Sequence, residues 1–96
     1  MVKHIVMFDF KEENRAENLH RAKEMLEALI GTVPTLKSME VGINFSQEER
    51  AMDLSLYSEF DDKEGLKAYA VHPEHLKVVD FIKSVASASK VSDYIV

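Results

Sequence analysis

The sequence predicts an α+β fold of the ferredoxin-like β-α-β-β-α-β type: a four-stranded antiparallel sheet with both helices on one face, completed by a second copy into a dimeric α/β barrel. Three observations carry this. Segments of period-two hydrophobicity and segments of helical period follow one another in that order along the chain. The opening strand is apolar on both sides, which a single layer of helices cannot cover. The chain has 96 residues, enough for one core and too few for two, so residues 1–96 read as a single domain.

Val2 to Phe10 sets His4, Val6, Phe8 and Phe10 against Lys3, Ile5, Met7 and Asp9, and its β-branched and aromatic content suits a strand. Lys11 to Asn14 is a polar loop. From Arg15 onward Leu19, Ala22, Leu26, Leu29 and Ile30 form the apolar stripe of a helix; Gly31 stops it and Pro34 prevents its continuation. Leu36 to Phe45 returns to period two, with Met39, Val41, Ile43 and Phe45 on one side, and Ser46 to Arg50 is a charged connection. Met52 to Phe60 alternates again. Asp61 or Asp62 can cap a short helix carrying Leu66, Tyr69 and Ala70, with Glu64 in its first turn. Pro73 disfavours helical backbone at His72 and opens a second helical piece running to about Val85, with Leu76, Val79 and Ile82 in one row and Val78 and Phe81 beside it. Ser84 to Ser89 reads as a small polar connection and Val91 to Val96 as the last strand.

The expected dimer follows from the strand faces. Ile5 and Met7 oppose Val6 and Phe8 on the first strand, and Tyr57 points away from the helices if Leu54, Leu56 and Phe60 point towards them. A homodimer through the open sheet face would shelter these residues, with about 800 Å² per partner typical of a specific interface. The alternative is a monomer that tolerates a few exposed apolar side chains.

A net charge of −5 and scattered lysines argue against nucleic acid and against anionic membrane surfaces. No cysteine is present, which removes disulfides, thiolate metal sites and cysteine nucleophiles. The opening residues are interrupted too soon by charge for a signal peptide, and no apolar run approaches the ~20 residues needed to span a bilayer, so a cytoplasmic protein is expected. With three glycines there is no phosphate-cradling loop, and no serine nucleophile elbow occurs. The pairs Glu12–Glu13 and Glu48–Glu49 read as solvated loop surface.

The most informative stretch is Tyr69-Ala70-Val71-His72-Pro73-Glu74-His75. His75 falls in the first turn of the helix opened by Pro73, where the positive end of the helix dipole favours neutral imidazole. His75, Val78, Val79 and Ile82 share one helical side, so the ring should face the sheet. A neutral imidazole beside the Tyr69 phenol is an acid–base pair in waiting; the competing reading is a histidine that hydrogen-bonds in the core and a tyrosine with a buried ring and its hydroxyl at the rim. His4, on the apolar face of the first strand, needs a partner, with His75 or a backbone carbonyl near it as the expected one. His72 should be a partly exposed helix-start residue and His20 a surface one. His72 and His75 stand three apart, but Pro73 breaks the helix between them, so no metal site is expected.

Lys3-His4-Ile5-Val6-Met7-Phe8, Val33-Pro34, Val41-Gly42-Ile43-Asn44, Tyr69 to His75 and Asp93-Tyr94 together resemble the stress-responsive α/β-barrel (Dabb) domain family over essentially the whole chain. The resemblance implies a homodimeric barrel and no single activity. One branch of that family, the plant polyketide cyclases of the olivetolic acid cyclase type, uses a histidine and a tyrosine to promote aldol closure of a linear poly-β-keto substrate. By motif position its catalytic histidine falls on His75, the tyrosine partner on Tyr69, and a pocket-lining strand histidine on His4. A further tyrosine of the cyclases falls near Leu26, so one polar pocket group is missing and the same substrate is not implied.

The expectation is therefore an apolar pocket ringed by Val6, Phe8, Leu26, Leu56 and Phe81 for a small apolar carbonyl or phenolic compound. His75, Tyr69 and His4 would do cofactor-free acid–base chemistry there, of cyclase, isomerase or lyase type. The alternative is a non-catalytic stress-related or ligand-binding protein with structural histidines, for which a filled interior at His75 is expected; a cofactor-free monooxygenase rests on fold analogy alone.

Overall fold

The computed structural model describes residues 1–96, in the order β1 (Val2–Phe10), α1 (Arg15–Glu27), β2 (Ser38–Ile43), β3 (Leu54–Phe60), α2 (Lys63–Val71), α3 (Pro73–Val85) and β4 (Ala86–Ile95). The strands form one antiparallel sheet in the order β2-β3-β1-β4, with the helical layer on one face. This is the ferredoxin-like arrangement expected from the alternation of periods.

Register decides which residues face the helices. Val6 pairs with Leu56 and with Val91, and Val41 pairs with Leu56, so these side chains share one face. Together with Val2, Phe10, Met39, Leu54 and Phe60, Val6, Val41 and Leu56 meet Leu19, Ala22 and Leu26 of α1, Tyr69 of α2, and Val78 and Ile82 of α3 in one core, while Val91 on the outer strand stays exposed. The other face carries Lys3, Ile5 and Met7, beside Ser38, Tyr57, Glu59 and, on β4, Ser92 and Tyr94. No helix covers it. There Lys3 pairs with Glu59, which also accepts from Ser38 Oγ (2.5 Å) and from the Tyr57 hydroxyl (3.3 Å).

Local chemistry sets the helix ends. Asp62 caps α2, its carboxylate accepting from the Gly65 N–H at 2.8 Å. Asn14 stands at the start of α1 in left-handed backbone without a side-chain cap; instead the Arg15 guanidinium donates twice to the Phe10 carbonyl, at 2.9 and 3.2 Å. His72, with ψ 134°, is extended and serves as both the last cap of α2 and the first of α3, where its Nδ1 accepts from the Glu74 N–H at 3.1 Å.

Four boundaries differ from the sequence reading. The first helix ends at Glu27; Leu29 and Ile30 continue it as a tighter turn bonding to Leu26 and Glu27 carbonyls, which Gly31 ends at φ 86°. The second strand stops at Ile43, and Phe45, expected in the apolar row, is 97% exposed. The third begins at Leu54, because Asp53 turns its carboxylate to the Phe10 N–H at 2.8 Å. The last begins at Ala86, so Ser87 to Ser89 is strand and α3 runs into β4 without a loop. Small polar residues carry no hydrophobic alternation, yet their backbone pairs with β1 across a register shift at Asp9 and Phe10.

Candidate functional site

The site lies where α2 gives way to α3, over β1. Tyr69, on the last turn of α2, is 2% exposed and surrounded by aromatic rings: His75 at 4.1 Å between centroids, Phe60 at 5.1 Å and His4 at 6.4 Å. The break at His72 lets Tyr69 and His75, which sit on different helices, lie against one another with their ring planes tilted by 40°.

His75 Nδ1 lies 3.0 Å from the Ala70 carbonyl. A carbonyl only accepts, so Nδ1 carries the proton and Nε2 holds the free lone pair. Burial disfavours the imidazolium and lowers the His75 pKa below the ordinary 6.5; the Ala70 carbonyl opposes this, while His4 and His72 add to the lowering. At neutral pH the ring is a neutral base.

Burial acts on Tyr69 in the opposite direction and pushes its pKa up to about 12, so the phenol stays protonated. Its hydroxyl has no hydrogen-bond partner within the protein, yet no enclosed side-chain oxygen or nitrogen of the chain is left unpaired. The oxygen therefore opens onto the cavity that Tyr69 lines.

His4 finds its partner on the last strand. Val6 pairs with Val91 and His4 with Asp93, and the His4 Nδ1 bonds the Asp93 carboxylate. The sequence reading placed that partner at His75 or a nearby carbonyl; the antiparallel register puts Asp93 there instead. Asp93 had stood in the chain as part of Asp93-Tyr94, and the pairing rule for a final strand beside the first would have found it.

These groups border a cavity of about 230 Å³. Val6, Phe8 and Leu56 from the sheet, Leu26 from α1, and Val78, Val79 and Ile82 from α3 form its apolar wall, with Lys83 and Ser89 also on its border. Four of the five expected wall residues are there. Phe81 is not: it turns towards α1, where the Arg21 guanidinium stacks over its ring at 4.8 Å. It stands two positions before Lys83 and one before Ile82, off the row that His75, Val78, Val79 and Ile82 define. His72 is occupied with capping, and His20 is exposed. A wider depression of about 330 Å³ around Pro34, Asp61 and Asp62 has no hydrophobic wall.

An antiparallel sheet backed by helices on one face, with a histidine–tyrosine pair at one end of a cavity between the layers, places the molecule among small ferredoxin-like proteins. The chain belongs to the Stress Responsive A/B Barrel Domain (Dabb) family, whose profile matches residues 2–96. It is 32% identical over 77 residues to Uncharacterized protein SCO4036 of Streptomyces coelicolor, covering 78% of this chain and 79% of that one. A dimeric protein of ferredoxin-like fold from Bacteroides fragilis matches with a TM-score of 0.89 at 32% identity, over 97% of this chain and 93% of the other. Hydroxynitrile lyase from Passiflora edulis matches with a TM-score of 0.87 at 19% identity, over 99% and 92%, a likeness of fold. Dimers and at least one lyase thus occur among proteins of this shape.

Proposed function

We propose that the chain is a cytoplasmic homodimer joined through the open sheet face, and that each cavity takes a small apolar carbonyl or phenolic compound for proton transfer without a cofactor. The observation that carries this is the contact of His75 and Tyr69 at one end of an apolar cavity, the first neutral with a free Nε2 and the second a protonated donor with an unpartnered hydroxyl. An apolar cavity of roughly 150 Å³ accepts benzene; about 230 Å³ suits one ring with a short side chain.

The chemistry follows from the two protonation states. A substrate carbonyl oxygen accepts from the Tyr69 O–H, and His75 Nε2 takes the proton from the adjacent carbon. The electron pair left on carbon delocalises to that oxygen as an enolate, which the phenol stabilises. Attack of that carbon on a second carbonyl gives cyclisation, return of the proton elsewhere gives isomerisation, and expulsion of a β-substituent gives lyase chemistry. His4, held by Asp93, keeps the Tyr69 ring in place from the sheet side. The open face supports the dimer: Met7 and Tyr94 are exposed on it, beside the partly covered Ile5 and Tyr57. No helix is long and apolar enough to cross a membrane.

A panel of small phenols and β-diketones, soaked into crystals and assayed for turnover, tests this. Bound density beside His75 is expected. The His75→Ala protein should keep its dimer and lose turnover with a melting shift of no more than a few degrees. A dry, filled interior, or loss of the dimer in that variant, makes the histidine structural.

A further inference from the structure

The cavity has a second polar end. Opposite Tyr69, His75 and His4 it is bounded by Lys83, in the last turn of α3, and by Ser89 on β4. From His75 to Lys83 is eight residues of helix, about 12 Å along the axis. The sheet gives the same span independently: Ser89 pairs with Phe8 and Asp93 with His4, four residues of strand, or about 13 Å. The cavity of about 230 Å³ is bordered at both ends of that span.

Lys83 takes part in none of the ion pairs of the chain. Neither its ammonium nor the Ser89 hydroxyl is used in a side-chain hydrogen bond, in contrast to Lys77, which is held by Glu74 at 3.0 Å one to two turns earlier on the same helix. Between the two polar ends the wall is apolar: Val6, Phe8, Val79 and Ile82 offer nothing that would favour a charge midway. A lysine in the last turn also complements the helix dipole, and that role alone is the rival explanation.

We infer that Lys83 and Ser89 form a carboxylate-binding end of the cavity, so that its ligands carry an anionic group about 9–12 Å from the atom presented to His75 and Tyr69. The inference rests on the cavity being a ligand site, as proposed above, and narrows the substrate class to elongated carbonyl or phenolic acids. A lysine stem is flexible and can lie along apolar wall while its charged head stays in water, and Lys83 is exposed. Because the ammonium is exposed, the expected gain is about fivefold in affinity at low salt, and added salt screens it.

The test is an NMR titration of the intact protein with 3-(4-hydroxyphenyl)propanoate and with its uncharged primary amide, in the wild type, Lys83→Met and Lys83→Arg. The acid should bind about fivefold more tightly than the amide to the wild type and to Lys83→Arg. In Lys83→Met that preference should vanish while amide affinity holds. Equal affinities in the wild type, or a preference that survives in Lys83→Met, overturns the inference and leaves the lysine to the helix end; shifts at Tyr69 and His75 with both probes would then still uphold the cavity as a ligand site. If neither probe shifts Tyr69 or His75, the cavity reading and the inference fall together.

Discussion

Replacing Tyr69 with phenylalanine removes one oxygen from the largest fully buried side chain and leaves the ring among Phe60, His4 and His75. A tyrosine hydroxyl bonded inside a core contributes about 0.5–1.5 kcal/mol. Here no protein atom is paired with it, so Tyr69→Phe should change stability by no more than about 0.5 kcal/mol, or about 2–4 °C in a domain of this size. Tyr69→Ala, which empties the ring volume, should cost about 3–5 kcal/mol. The assay is urea denaturation at one fixed protomer concentration, since a dimer's stability depends on it. Binding of a small phenol or β-diketone is measured in parallel and should weaken roughly two- to tenfold in Tyr69→Phe for want of the hydroxyl. A loss of about 1.5 kcal/mol or more in Tyr69→Phe, the size of one full buried hydrogen bond, together with unchanged ligand affinity would show the hydroxyl to be structural.

Two further outcomes follow from the same geometry. The His75 pKa is lowered by burial, so between its folded value and the unfolded 6.5 the unfolded chain binds more protons; its contribution to stability is complete above 6.5 and is lost as pH falls towards the folded value. Denaturation at about pH 7.5 and about pH 5 should show a smaller acid loss in His75→Gln than in the wild type, and equal losses refute the burial argument. Ile5 lies on the open face, so Ile5→Lys should cost an isolated subunit under about 0.5 kcal/mol but place a charge inside a dimer interface. Sedimentation is expected to find a dimer for the wild type and monomer for Ile5→Lys, and an intact dimer in the variant would move the interface elsewhere.

The order of elements was legible because apolar residues at Val6, Leu56 and Val41 alternate, while Leu19, Ala22 and Leu26 step by helical turns. What stayed hidden was whatever depends on backbone pairing alone. Ala86, Ala88 and Ser89 have no hydrophobic pattern, yet β1 pairs with them; Phe45 has the pattern, yet lies past the last rung that β3 supplies. At the site, Tyr69 and His75 could be read from one short stretch because a proline fixes the break between them. The His4 partner could not, since Asp93 is 89 residues away and reaches it through strand register. Phe81 misled because hydrophobicity says that a side chain is covered and not by which neighbour.

One residue, His72, ends one helix and starts the next. Tyr69 and His75, the pair proposed to act on a ligand, stand three positions to either side of it, so their alignment is encoded within a single heptapeptide, whereas the walls are drawn from β1, α1, β3, α3 and β4. Drift in those distant segments can therefore reshape what is admitted without disturbing the groups that would act on it, and a lineage built on this scaffold is free to change its guests while keeping its tools.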